Sequence, residues 1–323
     1  MMKKTNEMLR QIESDLGLNE PYFKGRNLQI KNCWHFYTDG NAVDRMFEDV
    51  EDFKAGMNRI FVLDRKYNIV ILAFILMDTH VHFILYGPYE ECNRFMHMYI
   101  SMTSRYMSLK YGEKNKFAKL PLSHQAIDNE LYLKTAICYV IKNSSTAGLP
   151  YLATDYPWSS SPLYFRNIKG NWTAPKWSLP HNLSWLSQIP FKQLRKFLRS
   201  RETDYTEAAI VDGIVFPGEY VDIETVERLF KTHKSFSFFL NTVKEETIEG
   251  KHGFSSHLSI PIQEMRQHRN SMCRNMFKVE TIRSLSAQQR LKLAKALRRK
   301  YNSSAKQIAK LCGLVYDEVK NVL

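Results

Sequence analysis

The sequence of 323 residues lacks several features that define common functional classes. Its five cysteines are scattered and include no C-x-x-C pair, which argues against a disulfide framework and favours reduced thiols in a cytoplasmic protein. The longest wholly apolar run, residues 69–77, is too short to span a bilayer. The polar N-terminus has no apolar signal-peptide core, and no internal repeat is visible.

Acidic residues are scarce in the second half of the chain. Residues 1–165 carry 19 basic and 18 acidic groups, whereas residues 166–323 carry 27 basic and 15 acidic groups. The net charge of +13 therefore comes almost wholly from the second half. Such a balance favours a polyanionic partner, of which nucleic acid is the default.

Apolar patterning predicts alternating strands and helices in the first half. It predicts strands at 32–37, 69–76 and 80–86, and helices at 44–62, 90–111 and 130–142. The stretch before the last helix is either a loop or a strand. This order fits an α+β fold, namely a small antiparallel sheet with helices on one face.

Composition divides the chain into four segments. We predict an N-terminal extension at 1–30, a first domain at 31–166, an aperiodic linker at 167–190, and a basic, mostly helical region at 191–323. An Asp-capped helix is expected from Asp222 to Phe230 within the last segment.

The C-terminus carries the most concentrated positive charge. Residues 281–315 include nine basic groups and no acidic one. The spacing at about 303–323 fits a helix-turn-helix, with small Ala309 where the helices approach and Gly313 in the turn. The inward positions are Ile308, Leu314, Val319 and Val322. The alternative is a helical hairpin with a basic, solvated face, but the charge run favours DNA binding.

Two histidines, His80 and His82, lie one residue apart within the third predicted strand. Side chains alternate across a strand, so the two imidazoles share a face. They could form half of a metal site or a catalytic pair, or they could be half-buried strand residues with hydrogen-bond partners. Similarly, Tyr139 and Asn143 are four residues apart and share one face at the end of the 130–142 helix. The plainer interpretation is that Tyr139 packs in the core and Asn143 caps the C-terminus of the helix.

Three motifs in order, MDTHVHFILYG, YVIKNSSTAGL and DYPWSS, together resemble one family. They resemble the Y1 transposases of the HUH class, in particular the REP-associated tyrosine transposases and the wider IS200-like group. The resemblance spans about half of the chain. MDTHVH stands where such proteins commonly have MPNHxH, and NSSTAGL stands where they have NPVRAGL.

The resemblance implies a ferredoxin-like HUH domain that cleaves and rejoins single-stranded DNA at hairpins or palindromes. It makes Tyr139 the nucleophile of a 5′-phosphotyrosine intermediate. It makes His80, His82 and Asn143 the ligands of a divalent metal, and Mg²⁺ or Mn²⁺ suits a histidine and amide site with open positions. It also allows a homodimer in which Tyr139 of one copy serves the histidine pair of the other. The expected DNA-binding residues are Lys142, Arg290, Lys292, Lys295, Arg298, Arg299, Lys300 and Lys306.

Two other functions remain open at this point. The altered residues around the motifs fit a transposase-derived, non-catalytic DNA-binding regulator. A structural zinc protein that uses His80 and His82 is the other alternative, although the absence of paired cysteines disfavours it.

Overall fold

The computed structural model describes residues 6–16, 18, 30–40, 42–43, 45–112, 117, 120–166, 183–200, 207–243, 262–301, 308–309 and 311–319. The strands are β1 (Cys33–Thr38), β2 (Val70–Leu76), β3 (Val81–Tyr86), β4 (Leu122–Ala126), β5 (Leu183–Trp185), β6 (Ala209–Val211) and β7 (Ile214–Val215). The first helices are α1 (Asn6–Asp15), α2 (Val50–Asp64), α3 (Tyr89–Tyr111), α4 (Glu130–Thr146) and α5 (Phe191–Leu198). The later helices are α6 (Ile223–Phe230), α7 (His233–Thr242), α8 (Ile262–Phe277), α9 (Ala287–Tyr301) and α10 (Tyr316–Val319).

The predicted α+β class is confirmed by a four-stranded sheet with the order β2-β3-β1-β4. Every neighbouring pair in it is antiparallel. The elements follow one another as β1-α2-β2-β3-α3-β4. The stretch before α4, for which the sequence allows either a loop or a strand, is the strand β4. Both β2 and β3 are buried along their whole length, and the continuous apolar run of β2 predicts its burial.

Helix boundaries follow the capping residues. The predicted start of α2 near residue 44 is wrong, because Asp49 caps the helix and exchanges hydrogen bonds with Asp52 in a capping box. The end of α3 was predicted correctly, since Gly112 adopts a left-handed φ of 74° that ends the helix. The predicted cap of α6 is also confirmed, with the Asp222 carboxylate accepting from the Thr225 N–H at 3.1 Å.

Helices cover both faces of the sheet, so the expectation that they pack on one face is wrong. On one face, α3 places Phe95 and Tyr99 against Phe83, with ring centroids 5.6 and 5.4 Å apart. On the other face, α4 places Tyr139 against His82. Adjacent residues of a strand point to opposite faces of the sheet, so the helix contacts of Phe83 and His82 show that both faces are covered.

The DYPWSS motif covers the outer edge of β2. The Leu76 N–H donates to the Trp158 carbonyl at 2.8 Å, and the Tyr156 hydroxyl donates to the Leu76 carbonyl at 2.9 Å. Further along, the N–H of Ser160 donates to the Phe74 carbonyl at 3.0 Å, and the Phe74 N–H donates to the Ser160 hydroxyl at 3.0 Å. The motif therefore satisfies backbone groups that an open sheet edge would leave exposed.

The chain divides into two compact units. The first comprises residues 1–142 and 152–244, and the second comprises 143–151 and 245–323. Residues 167–182 of the expected linker lie outside the described ranges, and the division into four segments stays a prediction. Residues 183–215 belong to the first unit because their small sheet packs on α2, where the Val215 N–H donates to the Asn58 side-chain oxygen at 2.8 Å.

The second unit has its own apolar core, built from α8, α9 and the segment before Gly313. Its buried members are Cys273, Leu285, Leu293, Ala294, Leu297, Ile308, Leu311 and Cys312. All five cysteines of the chain are free and buried, in agreement with the predicted reduced thiols. None of the helices that the structure describes is long and apolar enough to cross a membrane.

Candidate active site

The candidate site lies on the sheet face formed by the central strands β1 and β3. Their antiparallel register places Tyr37 opposite His82 and His35 opposite Ile84. Because side chains alternate, these four residues share one face. The histidine that the sequence singled out therefore has aromatic and imidazole neighbours on the adjacent strand.

His80 precedes β3 and lies in the tight turn that joins it to β2. The Met77 N–H donates to the His80 carbonyl at 2.8 Å, which closes the turn. The His80 Nδ1 lies 2.8 Å from the Thr79 hydroxyl. A Cβ at Gly40 would come within 2.8 Å of this same Nδ1, so a glycine there leaves room for the imidazole. The His80 and His82 rings are perpendicular, with centroids 5.0 Å apart.

His82 is buried, and its Nδ1 lies 3.0 Å from the Nε2 of His35. The pKa of His82 is lowered well below 6.5, first by burial and then by the nearby His80 and His35. The ring is therefore neutral at neutral pH. A neutral imidazole is the form that binds a metal.

The tyrosine of α4 reaches this same face. The Tyr139 ring lies 5.6 Å from the His82 ring and 5.9 Å from the His35 ring, in edge-to-face geometry with both. Tyr139 is buried, with 8% of its surface exposed. The predicted nucleophile and one predicted metal ligand are thus neighbours, although 57 positions of sequence separate 82 from 139.

The C-terminal part of α4 carries two further predicted residues. The Lys142 ammonium group donates to the Val243 carbonyl at 2.9 Å, so this lysine has a structural contact within the first unit. Asn143 begins the part of α4 that belongs to the second unit, and its backbone carbonyl accepts from the Ala147 N–H at 2.9 Å. Its role as a metal ligand stays a prediction.

The side chains near His82 determine which ligands a metal ion could find at the candidate site. Among the residues that the structure describes, no group of three or more His, Cys, Asp or Glu is arranged to hold a metal ion. The pair His80 and His82 offers two imidazoles close together on one surface. Such a pair fits a divalent ion that takes an amide as its third protein ligand and keeps other positions for water or substrate oxygens.

The basic residues of α9 differ in what they contact. Arg290 is partly buried, and its guanidinium donates to the backbone carbonyls of Leu285 at 3.0 Å and of Gly313 and Arg283 at 3.5 Å. Lys292 is exposed, whereas Lys295 and Arg298 are partly buried. The side chains of Arg299 and Lys300, and all of Lys306, lie outside the described parts.

The predicted turn near the C-terminus is visible around Gly313. This glycine adopts a φ of 63°, and the Leu314 N–H donates to the Ala309 carbonyl at 2.9 Å. Ile308 and Val319 are buried on either side of the turn. Val322 lies outside the described residues, and the helix-turn-helix as a whole stays a prediction.

Sequence reasoning missed His35 and Tyr37 as site residues. Their i, i+2 spacing on a predicted strand was a signal that they share a face. The register of β1 against β3, which brings them to His82, depends on a pairing between segments far apart in the chain. Neither segment shows that register by itself, because it depends on how the two strands are packed in the folded sheet.

No protein-family model and no curated protein matches this chain. Among solved structures, it is similar to that of a REP-associated tyrosine transposase bound to a REP hairpin. The two share 14% sequence identity with a TM-score of 0.31, over 43% of this chain and 82% of that chain. So distant a likeness carries no argument about function.

Proposed function

We propose that this protein cleaves and rejoins single-stranded DNA through Tyr139, as the resemblance to Y1 transposases implies. One observation carries the proposal. The Tyr139 ring lies on the same sheet face as His82, with centroids 5.6 Å apart and His80 adjacent. A helix that packed on the Phe83 face instead would have left the histidine pair without a nucleophile.

The proposed reaction is an in-line displacement at a phosphodiester. The Tyr139 oxygen loses its proton and bonds to phosphorus, while the bond from phosphorus to the 3′ oxygen breaks. That oxygen takes up a proton and leaves as a free 3′-hydroxyl, so the DNA stays attached as a 5′-phosphotyrosine. The reverse step on another 3′ end rejoins the strands.

A phenol with an ordinary pKa near 10 is a weak nucleophile at neutral pH and needs activation. When bound, Mg²⁺ or Mn²⁺ draws negative charge from the phosphate oxygens. In this proposal His80 and His82 hold the ion, and Asn143 supplies an amide oxygen. The burial of His82 keeps its ring neutral, which suits this role.

The fold and the C-terminal region support the same function. The β-α-β-β-α-β order and the strand order β2-β3-β1-β4 support the proposed ferredoxin-like domain. The turn at Gly313 supports a helix-turn-helix that grips DNA, with Lys292 and its basic neighbours meeting phosphates. A homodimer with shared sites remains compatible with this arrangement.

Cleavage of synthetic hairpins with single-stranded flanks tests the proposal. We expect the full chain to form a covalent adduct with the DNA that survives denaturing electrophoresis and requires Mg²⁺ or Mn²⁺. Tyr139→Phe keeps the ring packing and should abolish the adduct. A wild-type chain that binds the hairpins but forms no adduct with either metal would contradict the enzymatic proposal.

A non-catalytic DNA-binding regulator is the second candidate. One observation favours it, namely that MDTHVH and NSSTAGL depart from the MPNHxH and NPVRAGL patterns of the transposases that the chain resembles. The regulator would bind hairpins equally well with and without divalent metal, and Tyr139→Phe would leave its only activity unchanged.

A further inference from the structure

A third histidine, His35, lies in the middle of the candidate site although no sequence motif includes it. It is on the central strand β1, 1% exposed, and on the same face as His82. A buried imidazole needs hydrogen-bond partners, because an unpaired polar group in the interior is costly. Its Nε2 meets the Nδ1 of His82 at 3.0 Å, which gives each ring a hydrogen-bond partner at one of its two nitrogens.

We infer that His35 is a positioning residue that holds the His82 ring in the orientation and tautomer needed to bind a metal. The inference rests on the proposed function. Between two neutral imidazoles, one nitrogen must carry the proton and the other must accept it. With His82 donating from Nδ1, its lone pair is on Nε2, which is then the atom left to coordinate. Partners of this kind fix both the tautomer and the direction of metal-binding histidines.

Aromatic packing holds the plane of the His82 ring but cannot select its tautomer. His35 and Tyr37 both lie nearly parallel to His82, with centroids 5.2 and 5.7 Å away and interplanar angles of 26° and 24°. A phenylalanine at position 35 would preserve that packing and remove the hydrogen bond. The two contributions of His35 can therefore be separated by substitution.

His35 also contacts the proposed nucleophile. Its ring meets the Tyr139 ring edge-to-face at 5.9 Å, so one residue touches both His82 and Tyr139. A shift of His35 would move the metal-binding nitrogen and the tyrosine together. His35 therefore contacts both a proposed metal ligand and the proposed nucleophile, which come from distant segments of the chain.

A direct metal-binding role for His35 is the competing explanation. The separation of 3.0 Å between the two ring nitrogens would also allow both to bind one ion. However, the described residues contain no group of three or more His, Cys, Asp or Glu arranged to hold a metal, although His35, His80 and His82 are all described. This absence favours the hydrogen-bonded arrangement.

Mn²⁺ binding to the full-length protein, measured by calorimetry without DNA, tests the inference independently of catalysis. We expect His35→Phe to weaken Mn²⁺ binding by about 10- to 100-fold. His35→Gln, whose side-chain oxygen can accept from the His82 Nδ1–H, should stay within about threefold of wild type. Thermal unfolding of both variants controls for folding, and His82→Ala gives the value for loss of a true ligand.

Three results would overturn the inference. Wild-type affinity in His35→Phe would show that the hydrogen bond has no effect on the metal. Loss of binding in His35→Gln as complete as in His82→Ala would make His35 a ligand. Either result leaves the proposed cleavage activity intact, whereas a wild-type protein that binds no Mn²⁺ would contradict both proposals.

Discussion

At the scale of single residues, the candidate site requires that buried imidazole rings stay uncharged. His82 is surrounded by His35, Tyr37, His80 and Tyr139, and its pKa is lowered mainly because burial disfavours the charged ring. A group of this kind couples protonation to unfolding. The neutral state that suits metal binding is therefore also a measurable property of the metal-free protein.

We predict that His82 makes the metal-free protein less stable below about pH 6.5. The unfolded chain protonates His82 near its ordinary pKa of 6.5, whereas the folded chain does not until its lower pKa is reached. Because the unfolded state binds more protons in this window, the free energy of unfolding falls as pH falls, by up to about 1.4 kcal/mol per pH unit.

Urea denaturation with a chelator, repeated across this pH range, measures the slope. His82→Gln should flatten it, and His97→Gln, which replaces an exposed histidine of α3, is the control. An unchanged slope in His82→Gln would mean that another group titrates.

At the scale of secondary-structure elements, a polar network joins the start of α2 to the end of α3. Asp52 is fully buried and accepts from the Lys110 ammonium at 2.6 Å, the Tyr111 hydroxyl at 2.9 Å and the Tyr106 hydroxyl at 3.1 Å. The same carboxylate completes the capping box with Asp49. One side chain thus both begins a helix and ties it to its neighbour.

We predict that Asp52→Ala lowers the free energy of unfolding by about 2–3 kcal/mol, because three side-chain donors and the capping-box N–H lose their charged acceptor. Glu51→Gln is the matched control. Glu51 is on the same helical turn but 68% exposed, and its ion pair with Lys54 should contribute less than about 1 kcal/mol. Equal losses in the two variants, measured by chemical denaturation, would show that burial of Asp52 has no special effect.

Local signals predicted most elements, and long-range pairing explains the rest. Apolar patterning predicted β2 and β3 and the end of α3 at Tyr111. The sequence does not decide between a loop and a strand for β4, because its half-exposed residues show no clear alternation of apolar and polar side chains. The place of α4 on the second face, and of His35 beside His82, follows from tertiary packing that no local pattern contains.

At the scale of the whole molecule, some basic side chains form structural hydrogen bonds, whereas others are exposed to solvent. Arg290 donates to three backbone carbonyls around the turn at Gly313, so it stabilises the second unit. Lys292, two residues away, is exposed. Net charge alone therefore overstates the number of cations available to a polyanion.

We predict opposite effects for these two neighbours in the full-length protein. Lys292→Ala should leave thermal stability unchanged and lower the salt slope of DNA binding by about one unit, as expected for one lost phosphate contact. Arg290→Ala should lower the melting temperature of the second unit, because three carbonyls lose their donor. Anisotropy titrations at several salt concentrations and calorimetry test both. If Lys292→Ala has the same salt slope of DNA binding as the wild type, this lysine does not contact a phosphate.

Identification of the residue that bonds to DNA tests the central claim most directly. After reaction of the full chain with hairpin DNA and Mn²⁺, nuclease and protease digestion with mass spectrometry would locate the nucleotide adduct. Our account predicts that it is on Tyr139 and disappears in His82→Ala. An adduct on another tyrosine, such as Tyr37 beside His82, or no adduct on any tyrosine, would contradict it.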